Sequence, residues 1–152
     1  MYQDENALLG LFQTALEYYG GQLVSFTSRQ PLRLGFEMKA LQKGNDELMK
    51  FTMLSNRFAS KVIQTGNILA KSFQNLQSDQ FRLPFMKLDE WGSYLGSPVY
   101  DCGVCVGAFE VFDNEERNWT LNEKRNAKIC AEILEVLISP KSQEYKSTIS
   151  FH

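Results

Sequence analysis

The spacing Cys102-Gly103-Val104-Cys105 invites a chemical reading, since C-x-x-C serves thiol redox enzymes and, when doubled, holds zinc. Neither use is supported. Zinc takes four ligands, and the chain has no second cysteine pair and a single histidine, His152, its last residue. A redox pair sits at a helix N-terminus, where the dipole lowers a thiol pKa, whereas these cysteines straddle a turn and a strand. On a regular strand they would face opposite ways, so the pair reads as structural, and Cys130 reads as a small core residue. Nucleophilic catalysis of the Ser-His-Asp or Cys-His kind lacks its histidine base. Glu110, Asp113, Glu115 and Glu116 read as carboxylates on a strand end and a solvated loop, and no Walker or dinucleotide glycine loop is present. No catalytic residue and no metal ligand is assigned, and the chain reads as a non-enzyme.

Binding is the chemistry the residues favour. Phe81, Phe85 and Trp91, flanked by Phe73 and Tyr94, make an irregular segment unusually aromatic, and Arg82 among them is a fixed cation able to pair with an anionic group. These aromatics are expected to collect over one face of a sheet.

The elements that must position them follow from periodicity. A helix is expected to begin at Asp4 and end at Tyr19, with Leu8, Leu11, Phe12, Ala15 and Leu16 at helical spacing and Gly20-Gly21 behind it. Residues 22–28 predict a strand. Leu32, Leu34, Phe36, Met38 and Ala40 alternate with polar residues and predict a second, wet on one face, with Pro31 in the turn or at its start. After Lys43-Gly44-Asn45-Asp46, the residues Leu48, Phe51, Leu54, Phe58 and Val62 fall on one helical face, so a helix is expected to run to Thr65-Gly66. Residues 67–72 predict a short strand, and a further helix could open after Pro84. Tyr100-Asp101-Cys102-Gly103 predicts a hairpin turn, and residues 104–112, apolar on both parities apart from Glu110, a central strand covered on two faces. Thr120-Leu121-Asn122-Glu123 is a capping box opening the final helix.

The chain has 152 residues, enough for one domain that buries roughly 70% of its unfolded surface without metals or disulfides. Its net charge of −2 gives no footprint for nucleic acid, and Arg29, Arg33, Lys39 and Lys43 are spread over a strand pattern, as on a solvated face. No apolar run approaches the length of a membrane span, no signal peptide is visible, and three cysteines make no disulfide framework, so a cytoplasmic setting is expected.

The second half of the chain resembles the GAF domains. The pieces that carry the resemblance are Leu95-Gly96-Ser97-Pro98, the turn with Asp101 and Gly103, Val106-Gly107-Ala108, Arg117-Asn118-Trp119-Thr120, and the helix from Leu121, in that order. The resemblance implies an α+β fold of the PAS-related kind, an antiparallel sheet flanked by helices, with the N- and C-terminal helices packed together on one face. It covers residues 1–140 as a single domain, leaving 141–152 as a polar tail. It also implies a ligand cavity between the sheet and residues 73–94, with Arg82, Trp91 and Tyr94 as first binding residues, Phe81 and Phe85 beside them, and Cys105 or Phe109 as the floor.

Departures from the better-defined subfamilies narrow the ligand without naming a cofactor. Cyclic-nucleotide-binding members carry an Asn-Lys pair, a Phe and an Asp-Glu, where this chain has Phe112-Asp113, Trp119 and Asn122-Glu123. Bilin-binding members use a cysteine often followed by histidine, a pair not present here. Members that reduce free methionine sulfoxide place working cysteines before the final hairpin, and residues 1–101 contain none. Two readings follow: a sensory, signal-transducing module that binds an unidentified small molecule and passes the change through its terminal helices to an effector protein, and a ligand-free dimerisation or interaction module. The reductase is a weaker third. Both leading readings expect a homodimer through the first helix and Leu121–Ile138, with no nucleic acid or membrane partner.

Overall fold

The computed structural model describes residues 5–30, 33–72 and 92–139. In chain order these form α1 (Glu5–Tyr19), β1 (Leu23–Arg29), β2 (Phe36–Gln42), β3 (Met49–Met53), α2 (Arg57–Thr65), β4 (Leu69–Ser72), β5 (Ser93–Asp101), β6 (Val104–Asp113) and α3 (Leu121–Ile138). The strands build one antiparallel sheet in the order β3-β2-β1-β6-β5-β4, so β1 and β6 are central, as expected of the doubly apolar strand at 104–112. The architecture is α+β.

Each face of the sheet has its own core because strand side chains alternate. On one face α1 supplies Leu8, Phe12, Ala15 and Tyr19, and α3 supplies Ala127, Cys130, Ala131 and Leu134. They pack on Val24, Phe26, Leu95, Val99, Phe109 and Val111. The terminal helices therefore share one face. On the other, α2 lays Ala59 and Val62 against Ala108, while Leu23, Met38, Ala40, Tyr94 and Phe112 form a second cluster with Met49, Phe51, Met53 and Phe58 packed against it.

The β5–β6 hairpin closes with Cys102 at φ 52° and Gly103 at φ 80° as its two loop residues, both in the left-handed region that a two-residue turn needs to match the twist of its strands. Asp101 is the last residue of β5 and lies outside that loop. The capping box of α3 forms in full: Glu123 N–H donates to Thr120 Oγ1 at 3.1 Å and Thr120 N–H to Glu123 Oε1 at 2.9 Å.

Two expected elements are corrected. Residues 49–53 are a strand and not the first half of a helix. Met49, Phe51 and Met53 face the core from β3, opposite Ala40, Met38 and Phe36, and Leu54, expected on the helical stripe, is 84% exposed. Helical and strand periods both pass through Phe51, and the register against β2 decides between them. The helix starts later, where Asn56 Oδ1 accepts from Ala59 N–H at 3.0 Å. The second strand also begins later than its alternation suggested: Gln30 N–H closes a turn onto Gly35 O at 3.2 Å, and Leu34 is 90% exposed. The expected helix after Pro84 and the tail at 141–152 lie outside the described residues.

Candidate functional site

Glu110 is wholly buried in the middle of the sheet, although as a carboxylate near the end of its strand it reads as solvated. Its partners are fixed by register. Ser25 of β1 and Gly96 of β5 stand directly opposite it on either side, and Ala108, two residues away on its own strand, stands opposite Thr27. Ser25 Oγ donates to Glu110 Oε1 at 3.0 Å and Thr27 Oγ1 donates to the same oxygen, while Tyr94 Oη donates to Oε2 at 2.5 Å.

Tyr94 reaches Glu110 only because residue 96 is glycine. The tyrosine ring lies along its own strand, and a Cβ on Gly96 would stand 2.4 Å from Tyr94 Oη and 2.8 Å from the ring. The ring is held by a stack on Phe58 of α2, centroids 4.8 Å apart, and an edge contact with Phe112 at 5.2 Å. A polar pair is thus set inside an aromatic frame on the α2 side of the sheet.

Burial raises the Glu110 pKa to about 7, and the three hydroxyl donors oppose that rise without cancelling it. The same burial, together with the facing carboxylate, raises the Tyr94 phenol well above its ordinary value. Near neutrality Glu110 is consequently divided between an acceptor-only carboxylate and a neutral acid that can also donate.

A second polar network lies at the end of β6. Arg117 donates from Nη1 to Asp113 Oδ2 at 2.9 Å and to the carbonyl of Tyr19 at 2.8 Å, pairs through Nη2 with Glu123, and lies 4.4 Å from the Trp119 ring centroid. Tyr19 Oη donates to Glu123 O at 2.7 Å. The end of α1, the end of β6 and the first turn of α3 are tied at one guanidinium.

The residues expected to line a cavity do not all come together. Phe81, Arg82, Phe85 and Trp91 lie outside the described residues. Tyr94 is buried on the α2 face. Phe109 is not beside it: its ring packs toward Phe12 of α1, centroids 6.5 Å apart, on the opposite face. Cys105 stands opposite Tyr100, beyond the irregularity at Val99 and Tyr100, is half-buried, and burial raises its pKa. The floor reading of Phe109 is corrected, because Tyr94 pairs with Phe112, and Glu110 and Ala108 follow on that face while Phe109 lies on the other. Glu110, Ser25 and Thr27 were missed. The available signal was a lone glutamate inside an apolar strand, opposite a glycine. Cys102, Cys105 and Cys130 are free thiols.

No protein-family model matches the chain, and no curated protein matches it. Solved structures do. The GAF domain of a Coxiella burnetii phosphoenolpyruvate-protein phosphotransferase superposes with a TM-score of 0.70 at 13% identity, covering 88% of this chain and 81% of that one. The GAF domain of the Acinetobacter phosphoenolpyruvate-protein phosphotransferase gives 0.69 at 14% identity over 91% and 83%. A Neisseria meningitidis free methionine-R-sulfoxide reductase, solved with its substrate, gives 0.63 at 13% identity over 91% and 86%. The fold of this chain is that of a GAF domain. Among the described residues no helix is long and apolar enough to cross a membrane.

Proposed function

We propose that this protein is a sensory or regulatory GAF-type domain that takes a small molecule over the α2 face of its sheet and passes the change to α1 and α3. The observation that carries the reading is the buried Glu110, held by Ser25, Thr27 and Tyr94 on the sheet face that the terminal helices leave free. A soluble domain gains nothing in stability from burying a carboxylate where an apolar side chain would pack, so a recognition role accounts for its position. In this reading the cavity lies between the sheet and residues 73–94, and Arg82, Trp91, Phe81 and Phe85 contribute to binding along with Tyr94. The protein acts in the cytoplasm, with an effector protein as its output. The reductase reading is disfavoured by the placement of the cysteines: Cys102 is on the hairpin loop, Cys105 is next to that loop near the start of β6, and Cys130 is in the core of the other face.

Thermal-shift screening against nucleotides and anionic metabolites tests this reading. A compound present at a hundred times its dissociation constant raises stability by about 2.7 kcal/mol. The shift is expected to disappear in Arg82→Ala and to weaken in Tyr94→Phe. A shift unchanged in both variants would place the ligand elsewhere.

A second reading, dimerisation without a ligand, draws on a different feature. Ile129, Ile133 and Val136 form an exposed apolar stripe along α3, and Tyr18 at the end of α1 is half exposed. The proposed homodimer uses this surface. Sedimentation equilibrium is expected to show a dimer in the wild type and a folded monomer after Ile129→Glu with Val136→Glu. A wild-type monomer would remove the dimer from both readings.

A further inference from the structure

We propose that a cleft at the edge of the sheet, between α3 and the α2–β4 loop and β5, is a second binding site that takes a small zwitterion of the apolar amino-acid type. It does not rest on the site around Glu110, with which its lining shares no residue.

The cleft has a volume of about 450 Å³, within the ordinary range of roughly 300–1,000 Å³ for small-ligand sites. One wall is a face of α3 carrying Lys128, Glu132 and Glu135 at helical spacing. Glu135 is held in place, since its Oε2 accepts from the Tyr100 N–H at 3.1 Å. Lys128 and Glu132 form no ion pair among the described residues, and lysine before glutamate is the weaker order for such a pair on a helix. The facing wall is apolar: Ile68, Pro98 and the ring of Tyr100, which is fixed by a hydrogen bond from its hydroxyl to Gly66 O at 3.1 Å. Ser97, wholly buried, lines the floor, and its Oγ has no hydrogen-bond partner among the described residues. An unpaired buried hydroxyl is uncommon enough to require a cause, and a polar occupant reached by a turn about χ1 supplies one.

Charge decides the class of ligand. A simple anion would meet Glu132 and Glu135, and a simple cation would meet Lys128. A molecule with an ammonium and a carboxylate a few bonds apart satisfies both, with charge-assisted hydrogen bonds at each end. Its apolar remainder then lies against Ile68, Pro98 and Tyr100.

The test is a titration of the full chain followed by ¹H–¹⁵N correlation spectra, with L-leucine, leucinamide and 4-methylpentanoate as probes. L-Leucine is expected to shift the amides of Ile68, Ser97 and Lys128. The two singly charged analogues are expected to bind about tenfold more weakly, each lacking one charged partner. Lys128→Ala, at an exposed position that does not threaten folding, is expected to weaken leucine about tenfold while leaving leucinamide unchanged. The proposal is overturned if leucine up to about 10 mM, ten times the dissociation constant of a weak site, moves none of these amides. It is overturned equally if all three probes act alike, or if the shifts fall on Ser25, Thr27 and Tyr94 instead.

Discussion

Replacing Glu110 by alanine is expected to lower the unfolding free energy by about 3 kcal/mol at pH 5, because three buried hydroxyl donors lose their acceptor together and can re-pair only in part. Urea denaturation measures this as a lower midpoint with an unchanged slope. Glu110→Gln keeps an acceptor oxygen and the volume, and at pH 5 it is expected to cost about 1 kcal/mol. The two variants separate the loss of hydrogen bonds from the loss of charge.

The glutamine variant also tests the titration. The folded-state pKa of Glu110, about 7, lies above the ordinary 4.5, so between those values the native protein holds a proton that the unfolded chain has released. The sign follows: Glu110 contributes stability that is complete below the unfolded value and is lost as pH rises through the folded one. The full span corresponds to about 3 kcal/mol, lost between about pH 4.5 and pH 7. Glu110→Gln has no such group, so the difference between the two stability curves should move in favour of the variant by that amount across the window. Parallel curves would mean that Glu110 is ionised throughout, and that its environment is wetter than its burial indicates.

Arg117→Ala is the second large effect. Asp113 is 6% exposed and Glu123 is also shielded, so removing the guanidinium leaves two carboxylates and the Tyr19 carbonyl without their shared donor. The expected cost is about 3 kcal/mol, at the low end for a buried ion pair because the Arg117 side chain is itself 23% exposed. Arg117→Lys should recover only part of it, since a single ammonium cannot serve Asp113, Glu123 and the Tyr19 carbonyl while lying on Trp119. Urea denaturation gives the energy, and the near-ultraviolet circular dichroism of Trp119 reports whether its surroundings loosen. An alanine variant within about 0.5 kcal/mol of wild type would show that the network is solvated and carries little. Because Arg117 joins the ends of α1 and α3 to the sheet, the proposed signal to the terminal helices would pass through it.

What could be read from the sequence depended on how local the cause was. The helix ending at Tyr19, the capping box at Thr120 and Glu123 and the positive-φ hairpin near Gly103 each rest on neighbouring residues, and they formed as expected. The GAF fold was visible through such pieces in order. Residues 49–53 were misread because Phe51 satisfies two periods, and only pairing with Met38 selects the strand. The site failed for a related reason. β6 is apolar on both parities, so nothing within it shows that Phe109 faces α1 while Glu110 faces Tyr94. That distinction needs the register Tyr94 to Phe112 and Gly96 to Glu110, which the hairpin alone would not give: Tyr100 opposite Cys105 leads to Tyr94 opposite Val111, and the irregularity between Val99 and Tyr100 shifts the pairing by one residue.

Native mass spectrometry of the protein as purified, set against its mass after denaturation, tests the binding claim most directly. The account predicts a species heavier than the chain under native conditions, released on denaturation, with the lost mass identifying a small molecule. The same compound, added back, should raise the melting temperature of wild type but not of Arg82→Ala. A bare chain in the native spectrum, together with no melting shift across nucleotides and anionic metabolites, would contradict it.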